Sequence, residues 1–311
     1  MPLDPQAKAL LDKIEQSGAP AYNTLSAQEA RLLYDKASEL AQGSPPVPQA
    51  VTALKIPGPV SELDALMYKP EDDDKLPILI YFHGGGYTIG SLKSHDCVCR
   101  TLCVEAHCIV IAVDYRLAPE HKYPAAVDDS FTATQWIANN ADSLGGDAER
   151  IAVGGDSAGG NLAAVVCLKA REAGAPHLVH QLLIYPGTDM SCSFPSHKTF
   201  GQDYRLTNEL IDWSYQQYFA PDSDTGHWLA SPLNADDLSQ LPPAFVLSAG
   251  FDPLQDEDKA YADKLKQAGV AVKYSHYEGM LHGFIAMPGL FDKAREALSE
   301  CAAELRKAFA T

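Results

Sequence analysis

Five short runs along this 311-residue chain are apolar without alternation: "LPILIYF" (76–82), "CIVIAVDY" (108–115), "RIAVGG" (150–155), "QLLIYP" (181–186) and "AFVLSAG" (244–250). A strand that is apolar throughout has to be buried on both faces, as in a parallel sheet covered by helices on each side. A sixth run, "VAVKYSHY" (270–277), alternates and belongs nearer an edge. Helical patterns lie between the runs. "AAVDDSFTATQWIANNAD" (125–142) sets Val127, Phe131, Thr134 and Ile137 at helical spacing. "NLAAVVCLKAREAG" and "DEDKAYADKLKQAG" each stop at glycine. Upstream, "VTALKIPGPVSELDALMYKP" reads as two strands joined at Pro57-Gly58-Pro59, an antiparallel edge. The expectation is an α/β fold with a mostly parallel central sheet of about eight strands and helices on both faces.

Two segments stand outside the alternation. Residues 1–45 read as two amphipathic helices ending at "GSPPVP". Residues 188–230 interrupt two core strands, and "LTNELIDWSYQQYF" within them is helical, with Leu210, Trp213 and Tyr218 on one side. Both segments are expected to form a helical cap over the strand ends. The expected organisation is one catalytic domain: cap at 1–45, core at 46–187, cap at 188–230, core at 231–311.

A formal net charge of −17 disfavours nucleic acid and anionic membrane, which would repel the chain. No run of 18 apolar residues exists, so no membrane span is expected. The first residues carry acids and lysines and lack an apolar leader core, so the expected compartment is the cytoplasm. Four of the seven cysteines crowd "CVCRTLCVEAHC" (Cys97, Cys99, Cys103, Cys108). Their gaps fit no familiar zinc spacing, and they read as small buried thiols on a helix. A homodimer is compatible with the sequence.

The run at 150–155 leads directly into "GGDSAGGN" and then a helix. A strand that bends sharply into a helix needs small neighbours, which Gly155, Ala158 and Gly159 supply. Ser157 then projects from the carboxyl edge of the sheet, where ligands bind in such folds. The following helix aims its positive N-terminus at the same spot. G-x-S-x-G between strand and helix is the nucleophile elbow of α/β-hydrolases. The bare pattern arises by chance in about one such chain in ten at average glycine usage, so a second motif matters.

That motif is "YFHGGGY" (81–87), after another strand. Consecutive glycines let backbone N–H groups approach a ligand oxygen with no side chain in the way. Such donors can hold an oxygen that becomes negative during acyl transfer, each commonly worth about 3 kcal/mol. A phosphate cradle is disfavoured, because no Lys-Ser or Lys-Thr follows. The expected donors are Gly85, Gly86 and Ala158, with Gly84 a further candidate.

A serine hydroxyl needs a base, and histidine suits with its pKa near ~6.5. His282, in "EGMLHGF", follows the last strand at the carboxyl edge. His276 lies within that strand and packs there, and His83 braces the glycine loop. The carboxylate that orients the base is Asp252, which follows "AFVLSAGF". Asp256 and Glu257 sit one turn on and favour the helix start. Asp156 points elsewhere on the turn, and Asp114 holds the "YRLAPE" loop. The chain order Ser157, Asp252, His282 is the α/β-hydrolase order.

Five spaced segments, "HGGGY", "VDYRLAPEHKYPAA", "GGDSAGGNLAA", "FDPLQDE" and "LHGF", resemble the bacterial hormone-sensitive-lipase-like carboxylesterases from about residue 50 onward. The resemblance implies an α/β-hydrolase fold with a two-part cap, and a serine carboxylesterase that prefers short- to medium-chain acyl esters. It carries the triad onto Ser157, Asp252 and His282. Tyr87 departs from the family, where Trp is frequent, which bears on the acyl or alcohol pocket. The expected partner is a small-molecule ester, and neither a metal nor an organic cofactor is expected. A non-catalytic binding protein on the same fold, an amidase and a lactonase are the alternatives. Ser at the elbow, in place of Asp, argues against epoxide hydrolase or dehalogenase chemistry.

Overall fold

In the computed structural model, which describes residues 2–71 and 75–310, the apolar runs form one eight-stranded sheet. Its strands are β1 (Ala50–Pro57), β2 (Glu62–Lys69), β3 (Leu76–Phe82), β4 (Ile109–Asp114), β5 (Gly146–Asp156), β6 (His180–Ile184), β7 (Ala244–Phe251) and β8 (Val272–Leu281). Their spatial order is β1-β2-β4-β3-β5-β6-β7-β8. The first two pairings are antiparallel and the rest parallel, so the Pro57-Gly58-Pro59 hairpin is the expected edge. The alternating run becomes β8, the opposite edge.

Helices cover both faces. The helical elements in chain order are α1 (Pro5–Ser17), α2 (Ala27–Ala41), α3 (Asp96–Ala106), α4 (Ala125–Asn139), α5 (Ala158–Ala173), α6 (Pro195–Phe200), α7 (Asn208–Tyr218), α8 (Gln255–Gln267) and α9 (Asp292–Phe309). Every residue of β3 is buried, and its side chains alternate between two cores. Ile78, Ile80 and Phe82 join Leu162 and Val166 of α5, with Tyr261 and Leu265 of α8. Leu79 and Tyr81 join Leu102 of α3, with Leu298 and Leu305 of α9. Burial of each side chain of this size is worth about 1.5–3 kcal/mol. Cys97, Cys99 and Cys103 are buried on α3, and Cys108 just beyond it. Burial pushes the Cys103 thiol up to about 12, so it packs as a neutral group.

Both segments outside the alternation are helical. Ser26 opens α2 with a capping box to Glu29, and Thr207 caps α7 through the Leu210 N–H. The buried stripe of α7 is Ile211, Ser214 and Tyr218. Leu210 and Trp213, expected on the same side as Tyr218, are half-buried beside that stripe. Trp213 packs instead on Tyr34, Ala30 and Ile89. Among the described residues, no helix is long and apolar enough to cross a membrane.

The loop after β4 is fastened by a residue other than the expected one. Asp129, fully buried on α4, accepts from the Arg116 backbone N–H at 3.0 Å and from its guanidinium at 2.8 and 2.7 Å. Asp114 ends β4, where burial and the nearby Asp64 and Asp35 push its carboxyl up to about 6. The loop in turn supports the glycine segment, since the Ala118 N–H donates to the Tyr87 carbonyl at 2.9 Å. Asp129→Ala is expected to lower the unfolding free energy by roughly 3 kcal/mol, because it strands the Arg116 charge. Asp64→Ala, which removes the exposed partner of Lys55, should cost under about 1 kcal/mol. Urea unfolding of both variants checks the contrast, and equal losses would contradict it.

His180 opens β6 in a buried position, and neither ring nitrogen meets a hydrogen-bond partner among the described residues. Burial pulls its pKa down to about 4, against a small opposing pull from Glu304. The unfolded chain therefore binds a proton between about pH 6.5 and 4 that the folded chain does not. Stability from this group is complete above the unfolded value and is lost as pH falls towards the folded one, about 3 kcal/mol in all. His180→Leu is expected to reduce the loss of unfolding free energy between neutral pH and the folded pKa. An unchanged loss in urea titrations at the two pH values would refute this.

Candidate active site

The turn between β5 and α5 holds Ser157 at φ 55° and ψ −120°. That backbone conformation costs about 1–3 kcal/mol for a residue with a side chain, and the surroundings have to enforce it. The Ser157 N–H donates to the Ile184 carbonyl at 2.8 Å. Gly159 lies against the backbone of Phe82 at the end of β3, where a Cβ would collide with the carbonyl. The hydroxyl is thus presented at the carboxyl edge of the sheet, and Ala158 is the first residue of α5. A first-turn N–H has no partner within its helix.

Asp156 joins this turn to the glycine loop. Its carboxylate accepts from the Tyr81 hydroxyl at 2.8 Å, the Gly84 N–H at 3.0 Å and His95 Nε2 at 3.2 Å. Burial alone would raise its pKa, but His95 and the other donors outweigh burial and hold the carboxyl below its usual range. The Gly84 N–H is therefore engaged, which takes it off the list of free donors. Among the described residues, no protein acceptor takes the N–H groups of Gly85, Gly86 or Ala158. Gly85 sits at φ 124° against the Ile89 backbone, and its carbonyl accepts from Thr88 and Ile89 at 3.1 and 2.9 Å. His83 braces the loop as expected. Its Nδ1 meets the Gly84 carbonyl at 2.8 Å, and its ring stacks on Tyr115 at 4.5 Å.

His282 follows the last residue of β8, and Asp252 follows the last of β7. His282 Nδ1 lies 2.6 Å from Asp252 Oδ2, and Nε2 lies 2.8 Å from Ser157 Oγ. A carboxylate at Nδ1 requires the proton there, which leaves Nε2 to accept from the hydroxyl. Asp252 is fully buried and also accepts from the Leu254 N–H at 2.9 Å. Three side chains spread over 126 residues thus meet beside one cluster of amide hydrogens. His276 stays in β8, bonded to Ser248 at 2.7 Å.

The acids after Asp252 do more than favour the helix start. Glu257 is fully buried and accepts from the Thr188 and Asp189 N–H groups at 2.6 and 3.2 Å, with His197 Nε2 at 3.3 Å. Asp256 accepts from the Ser196 N–H at 2.9 Å. Together they latch the start of the 188–230 segment onto α8. Asp258, also fully buried, has no hydrogen-bond partner among the described residues. Burial first, then Asp252 and Glu257, push its carboxyl well above the usual range.

Ser157 and His282 open into a cavity, with Asp252 buried behind them. Tyr22 and Tyr34 of the N-terminal segment line it, with Arg205 and Leu210 of the second segment. Tyr87 lines it too, stacked on Tyr218 at 3.9 Å. Arg205, Tyr34 and His95 went unread in the sequence. No motif surrounds them, and only the fold brings them here.

A family model for the α/β hydrolase fold matches residues 79–286. The chain is 43% identical over 272 residues to the carboxylic ester hydrolase LipN of Mycobacterium tuberculosis, covering 86% of this chain and 72% of that protein. It is 39% identical over 309 residues to the ethyl acetate hydrolase of Pseudomonas putida, covering 96% of each. Among solved structures, an ester hydrolase from the metagenome of Lake Arreo superposes with a TM-score of 0.97 at 43% identity, over 99% of this chain and 100% of the other. A hyperthermophilic esterase from Pyrobaculum calidifontis gives 0.95 at 40% identity, over 99% of both. The chain belongs to the α/β-hydrolase fold family, in the hormone-sensitive-lipase-like group that its motifs resemble.

Proposed function

We propose that the protein is a serine carboxylesterase that hydrolyses short- to medium-chain acyl esters in the cytoplasm through an acyl-enzyme. One observation carries the reading: the hydrogen-bonded series Ser157–His282–Asp252 ends at a cavity lined by Gly85, Gly86 and Ala158, whose N–H groups meet no protein acceptor among the described residues. Ser157 Oγ attacks the ester carbonyl as its proton passes to His282 Nε2. Asp252 stabilises the imidazolium that forms. The tetrahedral oxyanion takes the amide hydrogens of Gly85, Gly86 and Ala158, which line the cavity with Ser157. His282 then protonates the leaving alcohol. Water repeats the sequence and frees the acid and Ser157. The names of the relatives, carboxylic ester hydrolase and ethyl acetate hydrolase, support an ester in place of an amide.

The cap belongs to the same proposal. Residues 1–45 and 188–230 contribute Tyr22, Tyr34, Arg205 and Leu210 to the cavity while the core supplies Ser157, Asp252 and His282. Arg31 of α2 fastens the first segment by donating to the Thr88 carbonyl at 2.8 Å and the Ala118 carbonyl at 2.7 Å. In this division the core sets the chemistry and the cap sets which esters fit.

Ser157→Ala is expected to lower kcat on an aryl butyrate by roughly 10⁴–10⁶-fold. An organophosphate should label the wild-type serine and leave the variant unmodified. Turnover by the variant near the wild-type rate would end the reading, and an unlabelled, inactive wild type would favour a binding protein. Initial rates along an acyl series from acetate to palmitate should peak before the long chains and fall by about tenfold or more at palmitate. Removal of residues 1–40 should shift that peak, and an unchanged profile would reject the cap.

A further inference from the structure

The cavity contains one fixed positive charge, and nothing in the reaction derived above uses it. Arg205 lies between α6 and α7, half-buried and lining the cavity with Ser157 and His282. Its Nη1 donates to the His282 carbonyl at 3.1 Å, and its guanidinium covers Gly283 so closely that a Cβ there would collide with it. Tyr34, Tyr22 and Tyr185 are its close polar neighbours. None of these is a carboxylate.

Arg205 forms no ion pair among the described residues, although the chain carries 41 acidic residues against 24 basic. Arg31, Arg100, Arg116, Arg150, Arg171 and Arg295 each face a carboxylate. The acids nearest the site are committed elsewhere. Asp156 serves Tyr81, Gly84 and His95, and Asp252 serves His282 and Leu254. A guanidinium withdrawn from water without a counter-ion is costly, and the cost is recovered when a ligand supplies the negative charge. Its planar fork matches a carboxylate with two parallel hydrogen bonds. On a chain of net charge −17, a local cation is also what lets an anionic substrate stay.

We propose that Arg205 is the specificity residue of this cavity and that the favoured substrates are esters bearing a free carboxylate on the alcohol side, acyl esters of hydroxy acids. The side follows from its place. His282 hands a proton to the leaving oxygen, so groups beside His282 belong to the alcohol moiety, and Arg205 is held on the carbonyl of that same residue. Hydrolysis consumes one water and yields the free acid and a hydroxy acid, whose carboxylate remains on Arg205 until it is released. The assignment rests on the serine-esterase reading.

The experiment compares two matched pairs of substrates with the wild type, Arg205→Gln and Arg205→Lys. Butyrylglycolate and butyrylglycolamide place a charged or neutral group on the alcohol side. Monoethyl succinate and ethyl succinamate place it on the acyl side. The wild type should favour butyrylglycolate over its amide by about tenfold or more in kcat/KM, a preference that weakens as salt rises. Arg205→Gln should cut that ratio by roughly 10–100-fold, mainly through KM, and Arg205→Lys should restore part of it. Glycolate should inhibit competitively with aryl butyrate where glycolamide does not, a measurement that needs no variant. A wild type that treats both members of the glycolyl pair alike, or discriminates only within the succinyl pair, overturns the proposal. So does an Arg205→Gln variant that loses activity equally on charged and neutral esters, as expected of a brace for His282. The neutral esters keep the two readings apart. Turnover of aryl butyrate without carboxylate preference overturns only this inference, whereas no turnover of any ester sinks the esterase reading as well.

Discussion

The carboxylate of Asp156 holds together the two loops on which the site depends. It closes β5 immediately before Ser157, yet its hydrogen bonds run to Gly84 and Tyr81 of the neighbouring β3 segment and to His95 before α3. An ion this deeply buried is costly unless it is fully hydrogen-bonded, and three donors satisfy it. By taking the Gly84 N–H it fixes the loop's phase, so that Gly85 and Gly86 line the cavity. The position of these glycines is thereby tied to the residue next to Ser157. Movement of the glycine loop would leave a buried charge without one of its donors, which holds the loop in place.

The same logic of buried charge extends behind the site. Glu257 and Asp258 follow Asp252 within two turns of chain, and all three are fully buried. Three negative charges so close could not coexist in the interior. Each is managed differently. Asp252 has His282 and the Leu254 N–H. Glu257 has His197 and two backbone donors from residues 188 and 189. Asp258, with no donor of its own among the described residues, has its carboxyl pushed well above the usual range by burial and by the other two acids. The carboxylate that orients the base is consequently the one paired with it, and the acid beside it anchors the start of the inserted segment.

What the sequence made readable follows from local physics. Uninterrupted apolar runs can only be doubly covered strands, and β3, buried at every position, is the plainest case. Ser157 and Gly85 were readable because sharp bends and close backbone approach demand particular residues at adjacent positions. Asp252 and His282 were readable because strand ends in such a sheet share one edge. The failures were all long-range. Asp114 and Asp129 are equally acidic on paper, and only the packing of α4 decides that the second holds Arg116. Glu257 sits where an acid favours any helix start, so its contact with Thr188 left no local trace. On α7, Leu210 and Trp213 lie where an amphipathic helix would bury them, but the cavity and the N-terminal segment occupy that side.

This division has a physical cause in how the two parts are built. Core positions are constrained by a sheet whose register leaves each side chain one face to choose. The inserted segments answer to no such ladder. Tyr22, Tyr34, Arg205 and Leu210 come from two stretches far apart in the chain, and each can change without disturbing a strand. Arg205 illustrates the consequence. Its carbonyl partner belongs to His282, which follows a core strand, while its own backbone belongs to the inserted segment. On the proposed reading, a loop residue therefore supplies a cation to the leaving-group side of the Ser157–His282 pair. On that reading, reaction and selectivity meet at a single hydrogen bond, and only the reaction half of it was written in a pattern that short-range chemistry enforces.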